Sequence, residues 1–270
     1  MNLSANPVSY AYWVGLIGSV GIAIDSVEIL HSRHEYDTHG ISSWDMLRLD
    51  DRFAQNNVVA LICHTILASP GYLILIFVQF LFALAIISRA TGALLALSVS
   101  GILVVKLLSH LRSPYGGLDG SDQMQVILFS SLAVFYLVPG AETQTFALLF
   151  IAAQALLSYL SAGLAKLVSP AWRSGAAISG IMSTDNYGSR IINSWMQKNM
   201  TAAAVLCWMV ILFECLAPAT VFAGPVPCLV FIGCALVFHL TIAFIMGLNT
   251  FVWSFGATYP AILFLTTFVR

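Results

Sequence analysis

Long apolar runs and short polar breaks follow one another along the whole chain. Runs of about 20 apolar residues recur from end to end, and a helix of that length crosses the hydrocarbon core of a bilayer. The runs are continuously apolar instead of alternating at every second position, which favours helices over the strands of a β-barrel. The pattern predicts an all-α fold: a polytopic integral membrane helical bundle of about eight transmembrane helices, with interfacial and re-entrant segments.

Each predicted span is an apolar run between polar breaks. The approximate bounds are Tyr10–Leu30, Pro70–Ser88, Thr91–His110, Gln125–Val138, Thr143–Gly163, Met200–Phe222, Val226–Leu248 and Phe251–Val269. A proline and a glycine in Ser69–Gly71 predict a helix break. We therefore interpret Asn57–Ala68 as a re-entrant or interfacial piece; if it crossed fully, every later loop would change sides. Ser121 or Asp122 is expected to cap the helix of the fourth span.

Composition narrows the class of protein. Of 270 residues, 59% are hydrophobic and 9% are charged, against about 25% charged residues in a soluble domain. We therefore expect one transmembrane domain over residues 1–270, with the lipid bilayer around it. The formal net charge of -1 gives no basic footprint for nucleic acid. The five cysteines form no Cys-x-x-Cys pair and are interpreted as packing residues.

The lysines and arginines predict an orientation. With eight spans and the amino terminus outside, the inward loops carry eight of these side chains and the outward segments carry two, which follows the positive-inside rule. The loop after Lys166 then lies inside. The amino terminus lacks the basic region of a signal peptide, so the first helix is expected to be retained.

The longest polar segment, His31–Asn57, follows the first apolar run. Its second half, Ser43–Phe53, mixes aromatic and aliphatic positions with paired charges, which predicts a helix on the membrane surface. His34 and His39 are five residues apart, so a helix would not bring them to one face as a metalloprotease motif requires. As a loop, the segment could bind a metal through its histidines and acids, or it could simply be solvated.

Ionisable residues also lie within the apolar runs, where they are costly unless they pair, face a cavity or do chemistry. Asp25, Glu28 and His31 are spaced by three residues and share one face of the first span. Lys166 stands at the end of the fifth apolar run. Its side chain either reaches the headgroups along its flexible stem or serves a site within the bundle.

The segment Ser161–Leu167, with Trp172 and Gly175 after it, resembles a motif of the horizontally transferred transmembrane (HTTM) domain. This domain is shared by vitamin K-dependent γ-glutamyl carboxylases and their bacterial relatives. Other elements agree in order. Phe213–Pro218 is similar to the family's acidic residue before a proline, and Phe238–Asn249 is similar to its late histidine helix. The resemblance covers most of the chain, and the lysine motif is its most specific part.

This resemblance implies a site within the helical bundle. Lys166 matches the lysine that is the carboxylases' proposed base for deprotonating vitamin K hydroquinone, and desolvation in an apolar pocket favours a neutral amine. Glu214 or His239 would orient that lysine or relay its proton. Trp172 and Asn249 would contribute to binding the cofactor, for which the resemblance implies a vitamin K-like quinone or another lipophilic molecule.

The chain also departs from the carboxylases. It has no room for their large substrate- and propeptide-binding region, and Asp119–Met124 stands about where they carry an asparagine–histidine element. The pattern is closer to stand-alone bacterial members, including the membrane protein that acts in maturation of a sporulation-delaying peptide toxin. This implies a bacterial plasma (inner) membrane. The carboxylase site faces the lumen, whereas the charge distribution puts the loop after Lys166 inside, so these two expectations conflict.

Two functions remain open from the sequence. The first is a membrane enzyme that uses Lys166 as a base on a quinone-like or lipophilic substrate. The second is a non-catalytic maturation or export factor that contacts a secreted peptide or a partner membrane protein through Pro114–Met124 and His31–Asn57. A transporter is disfavoured because no inverted repeat or matching pair of broken helices stands out. Small quinone-linked DoxX-like membrane proteins are disfavoured because they have fewer spans.

Overall fold

The structure, a computed structural model, describes residues 6–47, 64–112 and 119–269. Every regular element in these ranges is a helix, as the apolar pattern predicts. The α-helices in chain order are α1 (Pro7–His31), α2 (Trp44–Leu47), α3 (Gly71–Ile87), α4 (Gly92–His110), α5 (Gly120–Leu137), α6 (Ala141–Val168), α7 (Pro170–Arg173), α8 (Ala176–Met182), α9 (Arg190–Lys198), α10 (Met200–Phe222), α11 (Pro225–Met246), α12 (Asn249–Gly256) and α13 (Tyr259–Thr266). A 3₁₀ turn, Arg33–Glu35, follows α1.

The longest helices have the length and composition of membrane spans. Within the described ranges, α1, α4, α6, α10 and α11 are each long and apolar enough to cross a bilayer, and α3 is a shorter apolar helix of 17 residues. Large apolar side chains on these helices are exposed, Phe244 at 87% and Val226 at 71% among them, so lipid is their natural surrounding. The chain is therefore an integral membrane protein with an all-α fold. The finer count of about eight spans stays a prediction.

Two of the differences between the predicted spans and the structure concern where a helix ends. The fifth span is expected to end at Gly163, but α6 continues for more than a turn beyond it, so Lys166 lies within a helix. The last predicted span is divided into α12 and α13 by the turn at residues 257–258. Pro260 lies in the first turn of α13 and has no N–H to donate to the carbonyl of Gly256, which explains the division.

The chain divides into two compact units, which we call the amino-terminal unit and the carboxy-terminal unit: Ala11–Ala147, and Leu148–Arg270 together with Met1–Tyr10. In the amino-terminal unit, α4 packs between α3 and α5. Gly15 of α1 faces the same bundle, because a Cβ added there would lie 3.7 Å from Leu132 and 3.9 Å from Ile86. Residues 88–91 form a short connection between α3 and α4, which makes these two helices antiparallel.

The end of α1 and the start of α3 lie at the same end of the amino-terminal unit. Ser69 Oγ donates to Asp37 Oδ1 at 3.0 Å, and the ring centres of Tyr36 and Tyr72 are 5.4 Å apart. The predicted re-entrant piece Asn57–Ala68 lies largely outside the described residues, of which 64–67 are helical.

The polar loops differ in part from their predictions. The cap of α5 is Asp119, whose Oδ1 accepts hydrogen bonds from the N–H groups of Ser121 and Asp122 at 2.8 and 2.9 Å. The predicted cap was wrong because the helix begins earlier, at the first residue that can fold its side chain back onto these N–H groups.

Of the surface helix predicted over Ser43–Phe53, the structure describes the turn α2 (Trp44–Leu47), and residues 48–53 lie outside the described residues. No group of three or more His, Cys, Asp or Glu among the described residues could hold a metal ion.

The carboxy-terminal unit is built on α10 and α11, which pack against each other. The short helices α8 and α9 contact the start of α10 through a buried cluster of Met182, Met196 and Ala203. Near the end of the chain, the ring of Phe264 lies 5.2 Å from the ring of Tyr10. The segment after Lys166 is therefore a set of short helices packed onto α10.

Candidate functional site

An ion pair joins α6 to α10 within the carboxy-terminal unit. Lys166 Nζ donates to Glu214 Oε1 at 2.9 Å and to Glu214 Oε2 at 2.7 Å. The Glu214 side chain is 6% exposed and the Lys166 side chain is 20% exposed. A charge at such a place is costly unless it is paired. The ammonium of Lys166 is thus held against a carboxylate of the neighbouring helix.

Gly163 allows the two helices to come close at this pair. A Cβ at Gly163 would lie 2.8 Å from Cys215 N and 2.9 Å from Glu214 Cβ, and small residues are what permit such close contact between membrane helices. On α10, Pro218 lies within the helix and has no N–H, so the Glu214 carbonyl four residues earlier lacks its usual donor. The glycine before Lys166 and the proline after Glu214 therefore shape the site.

Trp172 and Gly175 are the other residues of the lysine motif. Lys166 Nζ lies 5.2 Å from the centre of the Trp172 ring, a cation–π distance. Gly175 has φ +87°, and a Cβ added there would lie 2.5 Å from Ala204 N of α10. Only glycine adopts both this conformation and this contact readily. Trp172 covers the ammonium, and Gly175 lets α8 begin against α10.

His239 lies in a cluster of aromatic side chains in the same unit. It is 2% exposed, and its ring stacks on Phe255 with the centroids 4.8 Å apart. Tyr159 Oη lies 3.5 Å from His239 Nε2, while His239 Nδ1 has no hydrogen-bond partner among the described residues. Within the described part of the chain, His239 forms no hydrogen bond with Lys166 or Glu214. The predicted catalytic residues are therefore not joined in one contact.

Tyr159 relates the aromatic cluster to the ion pair. It precedes Lys166 by seven residues on α6, which is two turns along one helix face. Its ring also lies 5.8 Å from Phe213, the neighbour of Glu214 on α10. The sequence interpretation does not include Tyr159, although the seven-residue spacing to Lys166 was a usable signal. Tyr159 therefore approaches His239 and lies on the helix face that carries Lys166, two turns away.

Asn249 is the first residue of α12. Thr250 Oγ1 lies 3.4 Å from its Oδ1, and Phe251, two residues later, stacks on His239 with the ring centres 6.3 Å apart. Asn249 therefore lies two residues before a member of the aromatic cluster. Trp172 is the predicted cofactor-binding residue that contacts Lys166.

An apolar groove of about 400 Å³ runs between α10 and α11. Phe213 and Phe231 form part of its wall, and both rings also pack on Tyr159. Neither Lys166 nor Glu214 lines the groove. Its polar residues are Thr220, whose hydroxyl donates to the carbonyl of Ala217 at 2.7 Å, and Cys234. The groove fits an apolar chain, but it lacks the donors that the carbonyl oxygens of a quinone head group require.

The Lys166–Glu214 pair can exchange one proton internally. An ammonium beside a carboxylate and an amine beside a carboxylic acid contain the same atoms, and the uncharged form avoids two desolvated ions. In the uncharged form the amine can accept a proton from an acidic group that reaches it. The arrangement is therefore able to act as a general base.

Comparison with known proteins leaves the family unassigned. The chain matches no known protein family, and no curated protein and no solved structure is significantly similar to it. The HTTM resemblance therefore rests on the sequence motifs and stays a prediction.

Proposed function

We propose that the chain is a membrane enzyme of the HTTM type, in which the Lys166–Glu214 pair removes a proton from a lipophilic substrate. The supporting observation is the contact of Lys166 Nζ with both carboxylate oxygens of Glu214, at 2.7 and 2.9 Å, between two helices of membrane-spanning length. Ionisable residues within membrane helices mostly serve a function because they are costly to place there.

The proton transfer needs no reactant other than the substrate and the Lys166–Glu214 pair. The substrate gives its proton to the neutral amine of Lys166, whose own proton has moved to Glu214. The products are an ammonium, a carboxylic acid and a substrate anion, so the anion forms beside a cation. Trp172 covers Nζ and stabilises the cation by its ring face. The proposal requires only a lipophilic molecule with an acidic proton.

The first test is mass spectrometry of molecules retained by the purified chain in lipid nanodiscs. The variants are Lys166→Met and, as a control, Lys198→Met at the exposed end of α9. We expect the wild type and Lys198→Met to retain a lipophilic molecule that Lys166→Met loses or leaves chemically unaltered. If all three retained the same molecule in the same chemical state, the enzyme proposal would be abandoned.

A second variant separates chemistry from folding. Exchanging the two side chains, Lys166→Glu with Glu214→Lys, keeps an ion pair between α6 and α10 but moves the amine to the other helix. We expect this double variant to fold and to lack the chemical change seen with the wild type. Full chemical activity in the exchanged pair would show that the position of the amine is unimportant.

The other function left open by the sequence is a non-catalytic factor for a secreted peptide. Its contact segments, Pro114–Met124 and His31–Asn57, lie partly outside the described residues. The same variants distinguish it, because Lys166→Met would then keep cellular function while changes in these segments would not. Expression in a bacterial plasma membrane is the appropriate setting for both tests.

A further inference from the structure

A polar cavity of about 330 Å³ opens in the amino-terminal unit, where α1 and α4 end and α3 and α5 begin. Its walls include Asp25 of α1, Gln79 of α3, Lys106 of α4, Asp122 of α5 and Arg112 after α4. Ligand pockets begin at about 300 Å³, so a small molecule fits. None of these residues belongs to the Lys166–Glu214 site.

One side of this cavity is acidic and rich in acceptors. Lys106 Nζ lies 3.6 Å from Asp25 Oδ2 and 3.2 Å from Asp122 Oδ1, so one ammonium stands between two carboxylates. Gln125 Nε2 donates to Asp25 Oδ2 at 3.0 Å. Gln79 is 2% exposed, and its Oε1 has no hydrogen-bond partner among the described residues. A buried acceptor without a donor is costly, and a ligand N–H would remove that cost.

Arg112 makes the other side of the cavity basic. Its guanidinium carbon lies 4.2 Å from the ring centre of Tyr72 and 5.5 Å from that of Tyr36, and it donates to the backbone carbonyls of Leu67 and Ser42. No carboxylate of the described residues forms a salt bridge with it. Burial lowers the pKa of Arg112 from its ordinary value, because desolvation disfavours the charged guanidinium.

We infer that this cavity binds a small zwitterion with a primary ammonium and an oxyanion. The ammonium, which has three N–H donors, lies against Gln79, Asp25 and Asp122. The oxyanion takes the remaining N–H groups of Arg112.

The position of the cavity allows two sources of this chemistry. It lies at the ends of membrane helices, where the headgroup of an aminophospholipid and a free amino acid both have access. The full chain in phosphatidylcholine nanodiscs distinguishes them. The soluble probes are O-phosphoethanolamine and glycine, the lipid probe is phosphatidylethanolamine added to the nanodiscs, and phosphocholine is the control because its quaternary ammonium has no N–H to donate.

We expect saturable binding of a soluble probe, selective retention of phosphatidylethanolamine over phosphatidylcholine, or both. Binding of a soluble probe alone supports a free zwitterion, and retention of the lipid alone supports a headgroup. Equal affinity for phosphocholine, or no saturable binding of any probe, would overturn the inference.

Gln79→Leu separates binding from folding. Leucine has a volume similar to that of glutamine and removes an acceptor, Oε1, that has no hydrogen-bond partner among the described residues. The Tm of the variant should therefore be unchanged or higher. The affinity for the zwitterion should fall about tenfold, because a hydrogen bond to a charged group is lost. Gln154→Leu, at a half-buried glutamine of α6 that does not line the cavity, should leave the affinity unchanged. The same affinity in both variants would contradict the assignment.

Discussion

At the scale of single residues, the stability of the carboxy-terminal unit depends on the neutralisation of Glu214 by Lys166. Removal of one partner of a buried pair costs about 3–5 kcal/mol. Because Lys166 is 20% exposed, we expect about 3 kcal/mol for Lys166→Met. Adding Glu214→Gln removes the unpaired charge and should recover most of this loss. Chemical denaturation in mixed micelles measures these differences.

The control for these variants is Lys198→Met. Because the Lys198 side chain is exposed, this substitution should change the free energy of unfolding by less than about 0.5 kcal/mol. If the double variant lost as much stability as the two single variants added together, the two side chains would not interact.

His239 gives a second prediction, in which stability and function separate. A phenylalanine keeps the stacking on Phe255 and removes Nδ1, which has no described hydrogen-bond partner. We expect His239→Phe to keep or raise stability by up to about 1 kcal/mol, measured by thermal unfolding. Loss of function without loss of stability would indicate that the ring nitrogens act on a proton. A loss above about 2 kcal/mol would mean that they are structurally required.

At the scale of helices, Gly163 sets the contact between α6 and α10. Gly163→Ala places a methyl group 2.8 Å from Cys215 N, so the helices must separate, and overpacking costs about 1–3 kcal/mol. Gly233 of α11 is the matched control, since a Cβ there meets nothing within 4 Å. Gly233→Ala should be neutral or stabilising by up to about 1 kcal/mol. Equal thermal stability of the two variants would contradict the close contact at Gly163.

The start of α5 gives the other prediction at this scale. Asp119 Oδ1 accepts from two backbone N–H groups and from the hydroxyl of Ser121 at 2.6 Å. Asp119→Ala should destabilise the amino-terminal unit by about 1 kcal/mol, whereas Asp119→Asn keeps an N-cap acceptor and should cost less. Urea unfolding compares the two. A similar loss in both would show that the charge, and not the cap, is important.

Sequence reasoning located the helices better than the contacts between them. The length of each apolar run predicts most helix bounds, because in lipid the backbone N–H and C=O groups of a span have to form hydrogen bonds within that span. Gly163 was interpreted as a helix end, since sequence does not distinguish a terminal glycine from one that contacts another helix. Pro260 carried a usable signal for the division of the last span. The pairing of Lys106 with Asp25 and Asp122 joins three helices, and no local spacing predicts such a contact.

At the scale of the whole molecule, α3 and α4 form a helical hairpin whose turn contains Arg89 at φ 64°. The 17 residues of α3 are about 26 Å long, close to the hydrocarbon thickness of about 30 Å. The end of α1 and the start of α3 lie together, as the Asp37–Ser69 hydrogen bond shows. A position in the loop after α1 and a position in the hairpin turn should therefore lie on opposite sides of the membrane.

Single cysteines test this arrangement in a variant without the native cysteines. His39→Cys lies in the exposed loop after α1 and Ser88→Cys lies at the end of α3. We expect a membrane-impermeant maleimide to label them from opposite sides, with His39→Cys inside if the positive-inside rule holds. The reverse orientation would keep the hairpin and would mean that the charge distribution predicts the wrong side for the loop after α1. Labelling of both positions from one side would mean that α3 does not cross the bilayer.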